Sequence, residues 1–105
     1  MNPFEIIAQT TQAIATNPSD VAAYKQRALT LCQMQQFDEA MADLNTLIDT
    51  LQTEDAEIYQ LRGTLRMNKG DKKGALDDMR KALDLNPELL HQLSGEYQSK
   101  EKGHC

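Results

Sequence analysis

Tyr59-Gln60-Leu61-Arg62-Gly63, followed by Gly70-Asp71, then Gly74-Ala75-Leu76, and closed by Leu85-Asn86-Pro87, is the stretch whose reading decides the fold. Alone it reads as two short helices joined by a Gly turn. Most of its marks recur 35 residues earlier in the chain: Tyr24 for Tyr59, Arg27 for Arg62, Ala28 for Gly63, Ala40 for Ala75, Asp43 for Asp78 and Asp49 for Asp84. Self-similarity at a fixed period of this length is the mark of a repeat architecture, each unit being one supersecondary element that buries its apolar face on its neighbours.

The spacing of large, small and Pro residues resembles the tetratricopeptide repeat. In that family an aromatic opens helix A, a small residue follows four positions later, another small residue sits early in helix B, and a Pro marks the next repeat. Tyr59, Gly63, Ala75 and Pro87 fill these places in the better copy, and Tyr24, Ala28 and Ala40 in the poorer one. The first copy has Gln52 where Pro is expected, with one extra residue assigned to its exit loop. The resemblance runs over about 67 residues, Val21 to Pro87.

The chain has 105 residues, enough for one compact domain and too few for two ordinary ones. Its 26% charged and 40% hydrophobic residues, with no Trp and three Pro, suit a helical protein better than a disordered or all-β one. The net charge of -5 falls unevenly. Glu5 and Asp20 cancel Lys25 and Arg27, so residues 37–105, with 14 acids and 9 bases, carry all of it. The basic residues gather no further than Lys72-Lys73 and Arg80-Lys81, so a nucleic-acid partner is not expected. Two distant cysteines, Cys32 and Cys105, make neither a disulfide framework nor a zinc spacing, and a reducing cytoplasm is the expected location. No basic leader and no window near 18 apolar residues appears, so neither a classical secretion signal nor a membrane span is expected.

Asn2-Pro3 signals the start of a first helix running to about Thr16, with Phe4, Ile7, Ala8 and Ile14 as its stripe. It looks like a helix B without its helix A. Asn17-Pro18 repeats the cap signal, and the next helix is expected over about Ser19 to Met34, packing through Val21, Tyr24, Ala28 and Leu31. Phe37, Ala40, Met41, Leu44, Leu47, Ile48 and Leu51 then give the strongest 3.6-residue stripe in the chain, with Leu44 and Leu47 fully buried. A second helix A over about Ala56 to Asn68 ends at Gly70, and Asp71 caps a helix packing through Ala75, Leu76, Met79, Ala82 and Leu83. Asn86-Pro87-Glu88 opens a last helix with Leu89, Leu90, Leu93 and Tyr97, the capping element a solenoid needs. The expected architecture is all-α: antiparallel helix pairs stacked as a short right-handed superhelix in a single domain. Residues 1–18 are a half-repeat, 19–52 and 54–87 the two repeats, 88–98 a capping helix and 99–105 a flexible tail.

Arg27 and Arg62 stand three residues after each Tyr, on an inward side where a guanidinium needs an acceptor. The expected pairs are Arg27 with Asp43 and Arg62 with Asp78, or alternatively Arg62 with Asp43 across the repeat boundary. All four are read as structural and not catalytic. The resemblance implies a concave wall of helix A residues that takes a peptide: Lys25, Leu29, Cys32 and Gln33 from the first copy, Gln60, Thr64, Met67 and Asn68 from the second, with His91 and Gln98 as an extension. Leu29 and Leu61 stand where the carboxylate clamp of chaperone-binding members carries Asn, so that specificity is not expected.

His91, His104 and Cys105 do not gather into a local metal site, and Cys32 has no paired His or basic neighbour to make it reactive, so no metal or cofactor is expected. No phosphate loop, HExxH, GxSxG or Cys-His pattern occurs, which argues against an enzyme. The expected function is noncatalytic binding of a protein or peptide partner, as a cytoplasmic adaptor or assembly factor. The alternative is self-assembly, a homodimer built through the first helix.

Overall fold

The computed structural model describes residues 1–90. From His91 onward the expected capping helix and tail, with His91, Gln98, His104 and Cys105, lie outside the described residues. Within them the regular structure is helical throughout: α1 (Pro3–Thr16), α2 (Val21–Gln33), α3 (Phe37–Asn45, continued by a π-helical turn over Thr46–Thr50), α4 (Ala56–Asn68) and α5 (Lys72–Leu85). The packing falls into two compact units, Met1–Thr53 and Glu54–Cys105. In the first, α1 and α3 both pack on α2; in the second, α4 packs on α5.

Unit 1 begins with a reciprocal cap. Asn2 Oδ1 accepts from the Glu5 N–H at 2.9 Å, and Glu5 Oε1 accepts from the Asn2 N–H at 3.1 Å, with Pro3 at the first helical position, where a missing N–H costs nothing. Asn17, expected to cap the next helix, instead ends α1. Its Oδ1 accepts from the Ser19 N–H at 3.1 Å, and α2 is capped by Asp20, whose Oδ1 accepts from Ala23 at 3.1 Å. Pro18 bars Asn17 from helical backbone, so Asn17 forms a turn and the nearest acceptor on the far side takes the cap. Three residues of this unit expected on packing faces are open. Phe4 is 72% exposed in the first turn of α1, Ala8 is exposed one turn further on, and Val21, the first residue of α2, is 38% exposed.

The turns after α2 and α4 are the same motif built on different residues. Gly70, at φ +89°, donates to Met67 O (3.0 Å), and Asp71 donates to Arg66 O (2.8 Å). Gln35, at φ +61°, donates to Cys32 O (2.9 Å), and Gln36 donates to Leu31 O (2.8 Å). Both satisfy the last carbonyls of a helix through one left-handed residue, a conformation Gly adopts freely and Gln does not. The interior of unit 1 closes through Ala28, Ala40, Leu44 and Leu47, all at 0% exposure.

The extra residue of the first copy does not sit in a loop. It is absorbed where α3 widens into the π-helical turn, with Leu51 donating to Thr46 O at 2.9 Å, five residues back. Gln52 (φ +54°) then reverses the chain, and Thr53 donates to Leu47 O at 2.9 Å.

In unit 2, Asp55 caps α4 and Asp71 caps α5, each accepting a backbone N–H at 2.9 Å, from Glu57 and Gly74 respectively. The two helices approach closely at Gly63, where an added Cβ would lie 3.3 Å from both Ala75 O and Asp78 Cβ. Ile58, Leu65, Ala75 and Ala82 are each 1% exposed and form the interior. Leu76, expected on the packing face, is exposed. It is one position, about 100° of helix, away from Ala75, on the side of α5 turned from α4.

Candidate functional site

Each unit is tied by one arginine and one aspartate 16 residues apart. In unit 1 Arg27 Nε donates to Asp43 Oδ2 and Nη2 to Oδ1, both at 2.8 Å. In unit 2 Arg62 makes the same two-pronged contact with Asp78, both bonds at 2.9 Å. This parallel geometry matches the guanidinium fork to the two carboxylate oxygens. Each guanidinium also lies over the ring of the Tyr three residues earlier, 5.7 Å from the Tyr24 centroid and 5.9 Å from the Tyr59 centroid. The hydrogen bond to Asp43 raises the Arg27 pKa above its ordinary value against the opposing effect of partial burial. The second tie is the drier one: side-chain exposure is 8% for Arg62 and 3% for Asp78, against 21% and 7% for Arg27 and Asp43.

Arg66 is the participant that sequence reasoning missed. Its Nη1 donates to Asp78 Oδ2 at 3.2 Å and to Gly74 O at 3.3 Å, so one buried carboxylate holds two guanidinium groups. The signal was a break in the repeat, since position 66 corresponds to Leu31 in the first copy. The network is a structural tie. Both Asp78 oxygens are engaged, Oδ1 by Arg62 and Oδ2 by Arg62 and Arg66.

The residues expected to line a binding wall divide by burial. On α2, Lys25 and Leu29 are half-buried and Gln33 is exposed, whereas Cys32 is only 2% exposed. Cys32 is thus an interior residue, as a small apolar side chain tends to be, and not part of the open side of this helix. On α4, Gln60 and Thr64 are half-buried, and Met67 and Asn68 are exposed, Met67 at 48%. The Thr64 hydroxyl is engaged with its own helix, donating to Gln60 O at 3.0 Å. Among the described residues no group of His, Cys, Asp and Glu is arranged to hold a metal ion, and no helix is long and apolar enough to cross a membrane.

Comparison with known proteins follows the same repeat. The sequence model of the tetratricopeptide repeat matches residues 56–89, which span α4, its turn and α5. Tetratricopeptide repeat protein 6 of Homo sapiens is 36% identical over 77 residues, 73% of this chain, and the chain spans 14% of that protein's length. With the helical pair, the small residues at Gly63 and Ala75 and the Gly70 turn all in place, the chain belongs to the tetratricopeptide repeat family.

Proposed function

We propose that this chain is a noncatalytic binding module, a cytoplasmic adaptor or assembly factor, that holds a segment of a protein partner on the exposed side of helix A in each repeat. Tetratricopeptide repeats generally mediate protein–protein interaction and are generally not catalytic. The observation that carries the reading is Met67, 48% exposed on α4 while Ile58 and Leu65 of the same helix are buried at 1% each. A long, unbranched, polarizable side chain left open on an otherwise packed helix suits contact with varied partner surfaces. Leu29 of α2 supplies apolar contact in the first repeat, and Lys25, Gln60 and Asn68 orient the bound segment.

The test is selection of binding peptides from a displayed library against the full chain, followed by affinity measurements with Leu29→Glu and Met67→Glu. Each variant is expected to weaken the selected peptides at least tenfold while keeping the parent's helical circular dichroism. Peptides that bind both variants as they bind the parent would place recognition elsewhere. A second reading, self-assembly through the first turn of α1, rests on Met1 and Phe4, 76% and 72% exposed.

A further inference from the structure

Unit 1 contains a cleft of about 360 Å³ between α1, α2 and α3. Its apolar lining is Ile7, Leu31 and Ala42; its polar lining is Thr11, Glu39 and the Arg27–Asp43 tie. Unit 2 shows what such a tie accepts when a second cation is within reach. There Asp78 Oδ2 accepts from Arg62 at 2.9 Å and also from Arg66 at 3.2 Å. The 35-residue shift puts Leu31 at the place of Arg66, and among the described residues Asp43 accepts from Arg27 alone. Asp43 Oδ2 therefore keeps acceptor capacity that Asp78 Oδ2 has used, and it borders a cleft instead of a side chain. The charges lining the cleft are Arg27 against Asp43 and Glu39, a surplus of one negative charge, with the exposed Glu39 at its rim.

The geometry points to this cleft as a docking site for an arginine side chain carried by a partner segment. The alkyl stem lies along Ile7, Leu31 and Ala42, and the guanidinium reaches Asp43 Oδ2 and Glu39, taking the role that Arg66 plays for Asp78. This surface differs from the proposed helix A surface. Arg27 and Leu31 are each two residues from Leu29 on α2, about 200° of helix away, so the two sites fail or succeed separately.

The experiment is an NMR titration of the isotopically labelled full chain with the blocked peptide acetyl-Ala-Leu-Arg-Leu-Ala-amide and with its citrulline counterpart, which keeps the shape and removes the charge. The arginine peptide is expected to shift the amide signals of Thr11, Glu39 and Ala42, and the citrulline peptide to bind at least about tenfold more weakly, the margin of a charge-assisted hydrogen bond. Leu31→Arg, which gives the first repeat its own counterpart of Arg66, is expected to abolish binding. Glu39→Lys, at an exposed position that the fold does not require, is expected to do the same and serves if the first variant fails to fold. Equal binding of the two peptides, shifts confined to residues outside the cleft, or unchanged binding by folded Glu39→Lys would overturn the proposal. Argininamide binding as tightly as the peptide would make the cleft a small-molecule site and overturn it as a docking surface.

Discussion

Removing the Asp78 carboxylate takes the two-pronged acceptor from Arg62, whose side chain is 8% exposed, and one acceptor from Arg66. Truncating one partner of a buried pair costs about 3–5 kcal/mol, because the other charge stays desolvated. Asp78→Ala is expected to fall in that range by urea unfolding. Asp43→Ala is expected to cost less, roughly 1–3 kcal/mol, since one arginine and not two loses a carboxylate and water reaches the more open Arg27 side chain. Equal losses would mean that Arg66 does not share the carboxylate in solution. Gln35 raises a different question. Its left-handed backbone costs a side-chain-bearing residue about 1–2 kcal/mol, and Gly would give back about 0.5–1 kcal/mol in unfolded-chain entropy. Gln35→Gly is thus expected to stabilise the chain by about 0.5–1 kcal/mol in the same assay. Sequence alone carried Gly70 as the turn residue, because only Gly announces a positive φ; Gln35 carries no such signal, and its conformation follows from the helix ends it has to join.

At the scale of elements, the two repeats are one design executed with different lengths. The π-helical turn over Thr46–Thr50 takes up the residue by which the first copy exceeds the second, so that Leu47 and Ile48 stay buried while the chain still exits through Thr53. Deleting the exposed Thr50 places Leu51 four residues after Thr46, the α-helical spacing, and is expected to convert the turn to α-helix with stability changed by no more than roughly 0.5 kcal/mol. Amide exchange and carbon chemical shifts of residues 46–52 read this directly. A loss several times larger would show that the wide turn itself is needed to seat Leu47 and Ile48. Periodicity made the helices legible but not this detail, because a stripe at 3.6 residues and one with a single wide turn place Leu44, Leu47 and Ile48 on nearly the same face.

For the whole molecule, the mass in solution separates the binding module from the self-assembling reading. Light scattering behind size exclusion, with reductant to keep Cys105 from linking chains, is expected to give 11.8 kDa at all concentrations. A mass near twice that, lost on Phe4→Glu, would make the first turn of α1 an interface between copies.

Local chemistry alone determined the helix pairs and the acidic candidates for each inward arginine, Asp43 for Arg27 and Asp78 or Asp43 for Arg62. Caps, small residues and a 35-residue recurrence act within one or two turns of chain, and a guanidinium on an inward face demands an acceptor wherever the fold is closed. Tertiary packing decided the rest. It placed Cys32 inside and Met67 outside, although the 35-residue shift makes them equivalent, and it brought Arg66 to Asp78 while leaving a cleft beside Asp43. Burial and acceptor capacity depend on what neighbouring helices bring to the same point in space. That is a property of distances across the fold, to which spacing along the chain is blind.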